Sequence, residues 1–216
     1  MKDLYMINFI HIPKNGGKTI LEIVKKHRLK SLMYFAHWAM PFVEDGINLY
    51  VLRDPVERFC SAVNFALQKW SCDKNVRNCI KHGINTPEKF IQCYINKNHK
   101  YHNIVKAEIE NKEGKHKIGR MILKYKYIYT PQVLWIRKKN NIYILFENYN
   151  EELKEVLDRI DINIEIPRIN ASKKRNNKLS KKSIEFLQRF YKDDYAFIGM
   201  IKKMSRKERL IYIYNV

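Results

Sequence analysis

The sequence contains few of the residues that mark fibrous, low-complexity or disulfide-stapled proteins. Its 216 residues include 7 glycines, 6 prolines and 4 cysteines. So little glycine and proline excludes collagen-like and low-complexity classes, and so few cysteines predict reduced thiols, with a Cys72–Cys79 disulfide as the alternative. No segment approaches the roughly 20 apolar residues of a membrane-spanning helix. The N-terminal apolar run has no small-residue cleavage site, so we expect no signal peptide and a cytoplasmic protein.

Acidic residues are scarce relative to basic ones. Lys and Arg total 42 against 22 Asp and Glu, for a net charge of +20. This excess attracts polyanions such as nucleic acid, anionic lipid, nucleotides or acidic glycans, and composition does not choose among them. Hydrophobic residues make up 45% of the chain, enough for a buried core, which excludes global disorder. The length predicts a single domain, residues 1–216.

Three continuous apolar runs predict buried strands: Ile7–Ile12, Leu49–Leu52 and Ile142–Phe146. Continuous runs are typical of parallel strands that are covered on both faces. Each run precedes a segment with helical periodicity, at 17–28, 55–70 and 151–160. The pattern predicts an α/β fold, a three-layer sandwich with a central, mostly parallel sheet flanked by helices.

Local signals refine this prediction. Met33–His37 is a candidate for a further short strand. Capping residues predict helix starts at Asp54-Pro55, Thr86-Pro87, Asn150 and Ser180. The segments 71–85 and 96–118 are rich in Asn and Lys, and we expect them to be irregular surface excursions.

The first motif with chemical meaning is Phe9–Ile20, FIHIPKNGGKTI. A strand, a loop with two glycines and a helix start place successive backbone N–H groups around an anion. Lys14 and Lys18 add charge, and Thr19 adds a hydroxyl donor. The end of a Walker A loop, GxxxxGK[ST], is similar, but Ile12 stands where that motif requires its first glycine. The segment therefore predicts an anion-binding loop that is not a P-loop of the NTPase type.

The second motif is VLRDPVERFCSA, in which Arg53 follows a buried strand. Ligands of open α/β sheets bind at this carboxyl edge, and a guanidinium group suits a terminal phosphate. Ser61 lies two helical turns further on and offers a hydroxyl to the same anion. The alternative is that Arg53 pairs with Asp54 or Glu57 and that Ser61 only packs.

Together the two motifs resemble the PAPS-dependent sulfotransferases, in particular the carbohydrate branch that includes heparan 2-O- and uronyl-type enzymes. HIPKNGGKT resembles that family's 5′-phosphosulfate loop, usually HIPKTGGTS, and RDPVERFCSA is similar to its 3′-phosphate motif, RDPxxRFxSA. Weaker similarities follow in order along most of the chain, in YTPQVLWI (129–136), ILFENYNEEL (144–153), RINASKKRN (168–176) and FYKDDYAFI (190–198).

The resemblance implies a P-loop-like nucleotide-binding sulfotransferase fold and a set of donor-binding residues. Lys14 would stabilise the leaving phosphate, and Arg53 and Ser61 would hold the 3′-phosphate. The residues expected to hold the 5′-phosphate are Asn15, Gly16, Gly17, Lys18 and Thr19. By position alone, Lys173, Lys174 and Arg175 would close over the nucleotide. Two residues depart from the family pattern, Asn15 where Thr is usual and Lys18 where Thr or Ser is usual.

A catalytic base must accept the proton of the acceptor hydroxyl. His37, after the candidate second strand, occupies a place similar to a histidine of the 2-O-type enzymes, so we predict it as the base. The alternatives are a structural role for His37 and Glu147 as the base. We expect His11 to be a buried, hydrogen-bonded support.

The expected reaction moves a sulfuryl group from PAPS to a hydroxyl of an acceptor, a carbohydrate that is itself anionic, and leaves PAP. It requires no metal. The sequence leaves two other functions open: a basic nucleic-acid-binding protein, although no helix-turn-helix, zinc-finger or RNP pattern is present, and a degenerate P-loop nucleotide kinase, for which Asp54 is the only candidate magnesium ligand. Oligomeric state is not predicted.

If His37 is the base, His37→Ala keeps the stabilisation by PAP and loses sulfuryl transfer, because donor binding and proton removal use different residues. Thermal unfolding with PAP and turnover of PAPS measure the two properties separately. Unchanged turnover in His37→Ala would remove the assignment.

Overall fold

The computed structural model describes residues 6–29, 31–35, 46–69, 73–112, 115, 117–118, 121–137, 140–167 and 178–210. The chain divides into two compact units. The first contains residues 1–54, 132–172 and 196–216, and the second contains residues 55–131 and 173–195.

Six strands and nine helices occur within the described residues. The strands are β1 (Ile7–Ile10), β2 (Leu32–Phe35), β3 (Ile47–Leu52), β4 (Lys117–Ile118), β5 (Met121–Ile122) and β6 (Asn141–Leu145). The helices are α1 (Gly17–His27), α2 (Pro55–Lys69), α3 (Lys74–Lys81), α4 (Pro87–Ile95), α5 (His102–Ile109), α6 (Tyr149–Arg159), α7 (Lys181–Phe190), α8 (Lys192–Lys203) and α9 (Arg206–Arg209). Short 3-10 helices lie at Gln132–Trp135 and Phe146–Asn148.

The first unit is built on a four-stranded sheet in the order β2-β1-β3-β6, with every pair parallel. This confirms the predicted α/β class and the parallel sheet. Because β2 and β3 lie on opposite sides of β1, the strand order reverses between β1 and β3. In open α/β sheets, ligands bind outside the carboxyl ends of the strands at such a reversal.

One face of this sheet carries the apolar core of the first unit. Phe9 and Leu49 pack there with Ile20 of α1 and with Leu153 and Val156 of α6. On the opposite face the ring of Phe197 in α8 meets Tyr143 edge-on, with centroids 5.5 Å apart. Helices therefore flank both faces, which explains why β1 and β3 are buried along their whole length and read as continuous apolar runs.

The second unit is mainly helical, and a buried arginine lies in its core. The Arg58 side chain is fully buried and donates to the carbonyl oxygens of Ile128, at 3.2 Å, and Thr130. The Tyr191 hydroxyl donates to the Tyr129 carbonyl at 2.8 Å. These hydrogen bonds satisfy the backbone carbonyl groups of residues 128–130, which belong to no strand or helix.

Two predictions about the second unit are corrected. The segments 71–85 and 96–118, expected to be irregular, contain α3 and α5. Asp73 caps α3 by accepting from the N–H groups of Asn75 and Val76. Each helix buries only a narrow apolar stripe, Val76 and Cys79 in α3 and Val105 and Ile109 in α5. The other positions are mostly polar, so the sequence shows little of the hydrophobic periodicity that predicts a helix.

Several local predictions are confirmed within a few residues. Thr86 and Ser180 cap α4 and α7 through their hydroxyl oxygens. The candidate second strand is β2, and α6 begins at Tyr149, just before the predicted start. Cys60, Cys79 and Cys93 are buried and form no disulfide bond with one another, and Cys72 lies outside the described residues. In the part of the chain that the structure describes, none of the helices combines the length and the apolarity that crossing a bilayer requires.

A buried ion pair joins α9 to α6 within the first unit. The Arg209 guanidinium donates to both carboxylate oxygens of Glu152, at 2.7 and 2.8 Å, and Glu152 also accepts the N–H of Leu145 at 2.9 Å. Burial by itself raises the pKa of Glu152, but the hydrogen bonds from Arg209 and from the Leu145 N–H outweigh it, and the net shift is downward. The pair therefore stabilises the fold in its charged form.

We expect Glu152→Gln to destabilise the protein by about 3–5 kcal/mol near neutral pH, because it leaves the Arg209 charge buried without its partner. A carboxylate whose pKa is lowered by folding contributes stability above its unfolded pKa, here near 4.5, and loses it as the pH falls further. Urea unfolding at pH 7 and pH 3.5 should show the difference between wild type and variant shrinking in acid. The exposed neighbour Glu151→Gln is the matched control; equal losses in the two variants at pH 7 would contradict the role of the pair.

Candidate functional site

The loop after β1 turns the chain directly into α1. Lys14 and Gly16 both adopt left-handed backbone conformations, with φ values of 71° and 85°. The Asn15 N–H donates to the Ile12 carbonyl at 3.3 Å, and the Thr19 N–H donates to the Gly16 carbonyl at 3.1 Å. The first turn of α1, Gly17–Ile20, contains no acidic residue. The positive end of the helix dipole therefore meets this loop without a competing carboxylate from that turn.

Aromatic rings pack directly on both glycines of the loop. A Cβ atom on Gly17 would lie 2.1 Å from Cδ2 of His11, a distance that no real contact allows. A Cβ on Gly16 would lie 3.0 Å from the Tyr149 ring, whose hydroxyl donates to the Gly16 carbonyl at 3.2 Å. The two glycines are therefore needed for close approach of the rings, and at Gly16 also for its positive φ.

Three cationic side chains converge at the adjoining ends of β1 and β3. Burial, followed by the nearby charges of Lys18 and Arg53, lowers the pKa of Lys14 from 10.5 to about 8. The Arg53 guanidinium donates to the Lys14 carbonyl at 3.2 Å and lies 4.4 Å from the centre of the Phe146 ring. Such like-charge crowding is unfavourable in the absence of an anion, and an anion bound here would relieve it.

Two buried side-chain amides connect the loop to the end of β3. Asn15 Nδ2 donates to the Val51 carbonyl and to Gln132 Oε1, both at 2.6 Å. Gln132 in turn accepts the Arg53 N–H at 3.1 Å and donates to the Arg53 carbonyl at 2.8 Å. Sequence reasoning missed Gln132 as a site residue. The only signal was its place in the segment YTPQVLWI, which resembles the sulfotransferase family.

His11 makes the predicted hydrogen bond, but its side chain is half-buried and not buried as predicted. Its Nδ1 lies 2.6 Å from the Tyr34 hydroxyl, a hydrogen-bonding distance, and its ring is stacked with Phe9. Burial raises the pKa of Tyr34 to about 12, so the phenol stays protonated. His11 therefore connects β2 to the loop after β1, because it bonds to Tyr34 of β2 and its ring lies against Gly17.

The other predicted site residues are placed as follows. Ser61 lies in α2, in the second unit, and Thr19 is buried in the first turn of α1. Glu147 forms an ion pair with Lys202 at 2.6 Å on the surface. His37, Lys173, Lys174 and Arg175 lie outside the described residues. The roles of these four residues and of Ser61 stay predictions.

Comparison of the chain with models of protein families, with curated proteins and with solved structures found no match. Among the described residues, no group of three or more His, Cys, Asp or Glu side chains is arranged to hold a metal ion. The site is therefore characterised by its own geometry: a helix start, two glycines and three converging cations.

The lowered pKa of Lys14 predicts a pH-dependent anion site. Because only protonated Lys14 attracts an anion, affinity for sulfate ion, which does not titrate in this range, should fall by as much as about tenfold between pH 7 and pH 9. Isothermal titration measures the change. Lys14→Met should remove the dependence and Lys25→Met, at the far end of α1, should retain it; equal pH profiles in wild type and Lys14→Met would contradict the prediction.

Proposed function

We propose that this protein is a sulfotransferase that moves a sulfuryl group from PAPS to an acceptor hydroxyl, on a carbohydrate. The observation that supports this most strongly is the convergence of Lys14, Lys18 and Arg53 at the reversal point of the sheet, where burial, followed by the two neighbouring charges, lowers the pKa of Lys14. Two anion-binding turns from neighbouring parallel strands suit a donor with anionic groups at both ends.

Lys14 and the start of α1 match what sulfuryl transfer requires. The acceptor oxygen attacks sulfur in line with the bridging oxygen, the bond between sulfur and that oxygen breaks, and PAP leaves with the electron pair. The acceptor proton passes to the base, His37 in our prediction. Negative charge grows on the leaving phosphate, so a lysine and a helix N-terminus already in place there lower the barrier.

The geometry is less favourable to a nucleotide kinase. The residue at the first glycine position of a Walker A loop is Ile12, which is 1% exposed and belongs to the buried end of the strand segment. Its side chain occupies a place where that motif needs bare backbone to wrap a triphosphate. We therefore propose the sulfotransferase in preference to the kinase.

The proposal is tested by thermal unfolding with PAP in the absence of magnesium. A ligand that binds only the folded state raises the melting temperature, by several degrees for a chain of this size at about 100 times its Kd. Lys14→Ala and Arg53→Ala should reduce or abolish the shift. Lys25→Ala, which removes an exposed lysine at the other end of the same helix, is the control and should keep it.

Two further measurements distinguish the kinase and the nucleic-acid-binding protein from the sulfotransferase. Magnesium-dependent ATP turnover without a PAP shift would favour the kinase. Binding of any DNA duplex that weakens steeply with salt, again without a PAP shift, would favour a general polyanion-binding protein. Release of PAP from PAPS on addition of an unsulfated acidic polysaccharide would support the carbohydrate acceptor.

A further inference from the structure

We infer that Asn15 and Gln132 form a positioning pair that sets the separation between the Lys14 loop and Arg53, and thereby selects a donor with two anionic ends. This inference rests on the proposed function and deepens it. Neither residue needs to touch the donor. Both are almost completely buried, Asn15 at 1% exposure and Gln132 at 0%.

The orientation of Gln132 is determined by the backbone of Arg53. An N–H group must meet an acceptor and a carbonyl must meet a donor, so the Arg53 N–H and carbonyl assign Oε1 and Nε2 of Gln132 without ambiguity. Oε1 then faces Asn15, which has to present its Nδ2 group. Each amide therefore has only one orientation that satisfies its partners.

Asn15 has no donor left for a phosphate. Both hydrogens of Nδ2 are used, toward Val51 and Gln132, and the backbone N–H is used toward Ile12. The remaining polar atom, Oδ1, is an acceptor that lacks a hydrogen-bond partner among the described residues, and an acceptor does not bind an anion. We therefore replace the predicted role of Asn15 as a ligand of the donor with a role in positioning.

The hydrogen bonds of Asn15 and Gln132 therefore connect the two cationic turns, the Lys14 loop after β1 and the turn at Arg53 after β3. The Arg53 backbone bonds to Gln132, and Gln132 bonds to Asn15 in the loop. The Arg53 guanidinium also bonds directly to the loop, at the Lys14 carbonyl. A ligand that bridges both turns depends on their separation. A ligand held by one turn alone does not, because each turn keeps its own internal hydrogen bonds.

The test compares PAP with adenosine 5′-phosphate, which lacks the 3′-phosphate, by isothermal titration at 25 °C. Gln132→Met keeps side-chain length, removes the amide contacts with Asn15 and with the Arg53 backbone, and leaves the residues of both turns as they are. We expect PAP to bind about tenfold more weakly or worse and adenosine 5′-phosphate to change by less than about threefold. Gln92→Met, an exposed glutamine in α4, is the matched control.

Hydrogen exchange of the ligand-free protein provides a second readout. Amides of residues 14–19 should exchange faster in Gln132→Met than in Gln92→Met, with the exchange of β6 unchanged. If wild type fails to bind PAP, the proposed function falls. If wild type binds PAP and Gln132→Met keeps both its PAP preference and its loop protection, the positioning pair alone is overturned. Equal weakening of both nucleotides would also overturn it, since that result indicates general damage to the loop.

Discussion

Repulsion among Lys14, Lys18 and Arg53 is the interaction on which the rest of the site depends. Strand order brings the ends of β1 and β3 side by side, so the cations that follow these strands cannot avoid one another. Burial is the main cause of the lowered pKa of Lys14, and the nearby charges of Lys18 and Arg53 add to it. A cation cluster can attract an anion only if the contacts that hold it in place do not cancel its charge.

Four of the side chains that hold the loop of the cluster in place are uncharged in the contacts described above. The rings of His11 and Tyr149 lie against the two loop glycines, and the amides of Asn15 and Gln132 fasten the loop to β3. A carboxylate in these positions would bind the lysines and occupy the place of the ligand. Acidic side chains of the same unit are used elsewhere, as in the buried pair of Glu152 with Arg209.

Sequence reasoning was most reliable where one short segment carries the whole signal. The buried strands appear as continuous apolar runs, and Thr86 and Ser180 mark helix starts because each cap contacts an N–H group within its own first turn. It failed for α3 and α5, whose few buried positions are diluted by polar residues. Asn15 was predicted as a ligand from its position within a glycine-rich loop, and no sequence signal indicated that its side-chain amide bonds to Val51 and Gln132.

The sequence alone determined the α/β class, the glycines and lysines of the loop after the first strand and the presence of an arginine at the end of another strand, since each depends on neighbouring residues. Only the tertiary structure decided that the two turns are adjacent and what holds them. Gln132 is 117 residues from Asn15 and 79 from Arg53, and a hydrogen bond between such distant positions leaves no local pattern to read. The sheet order brings these residues together.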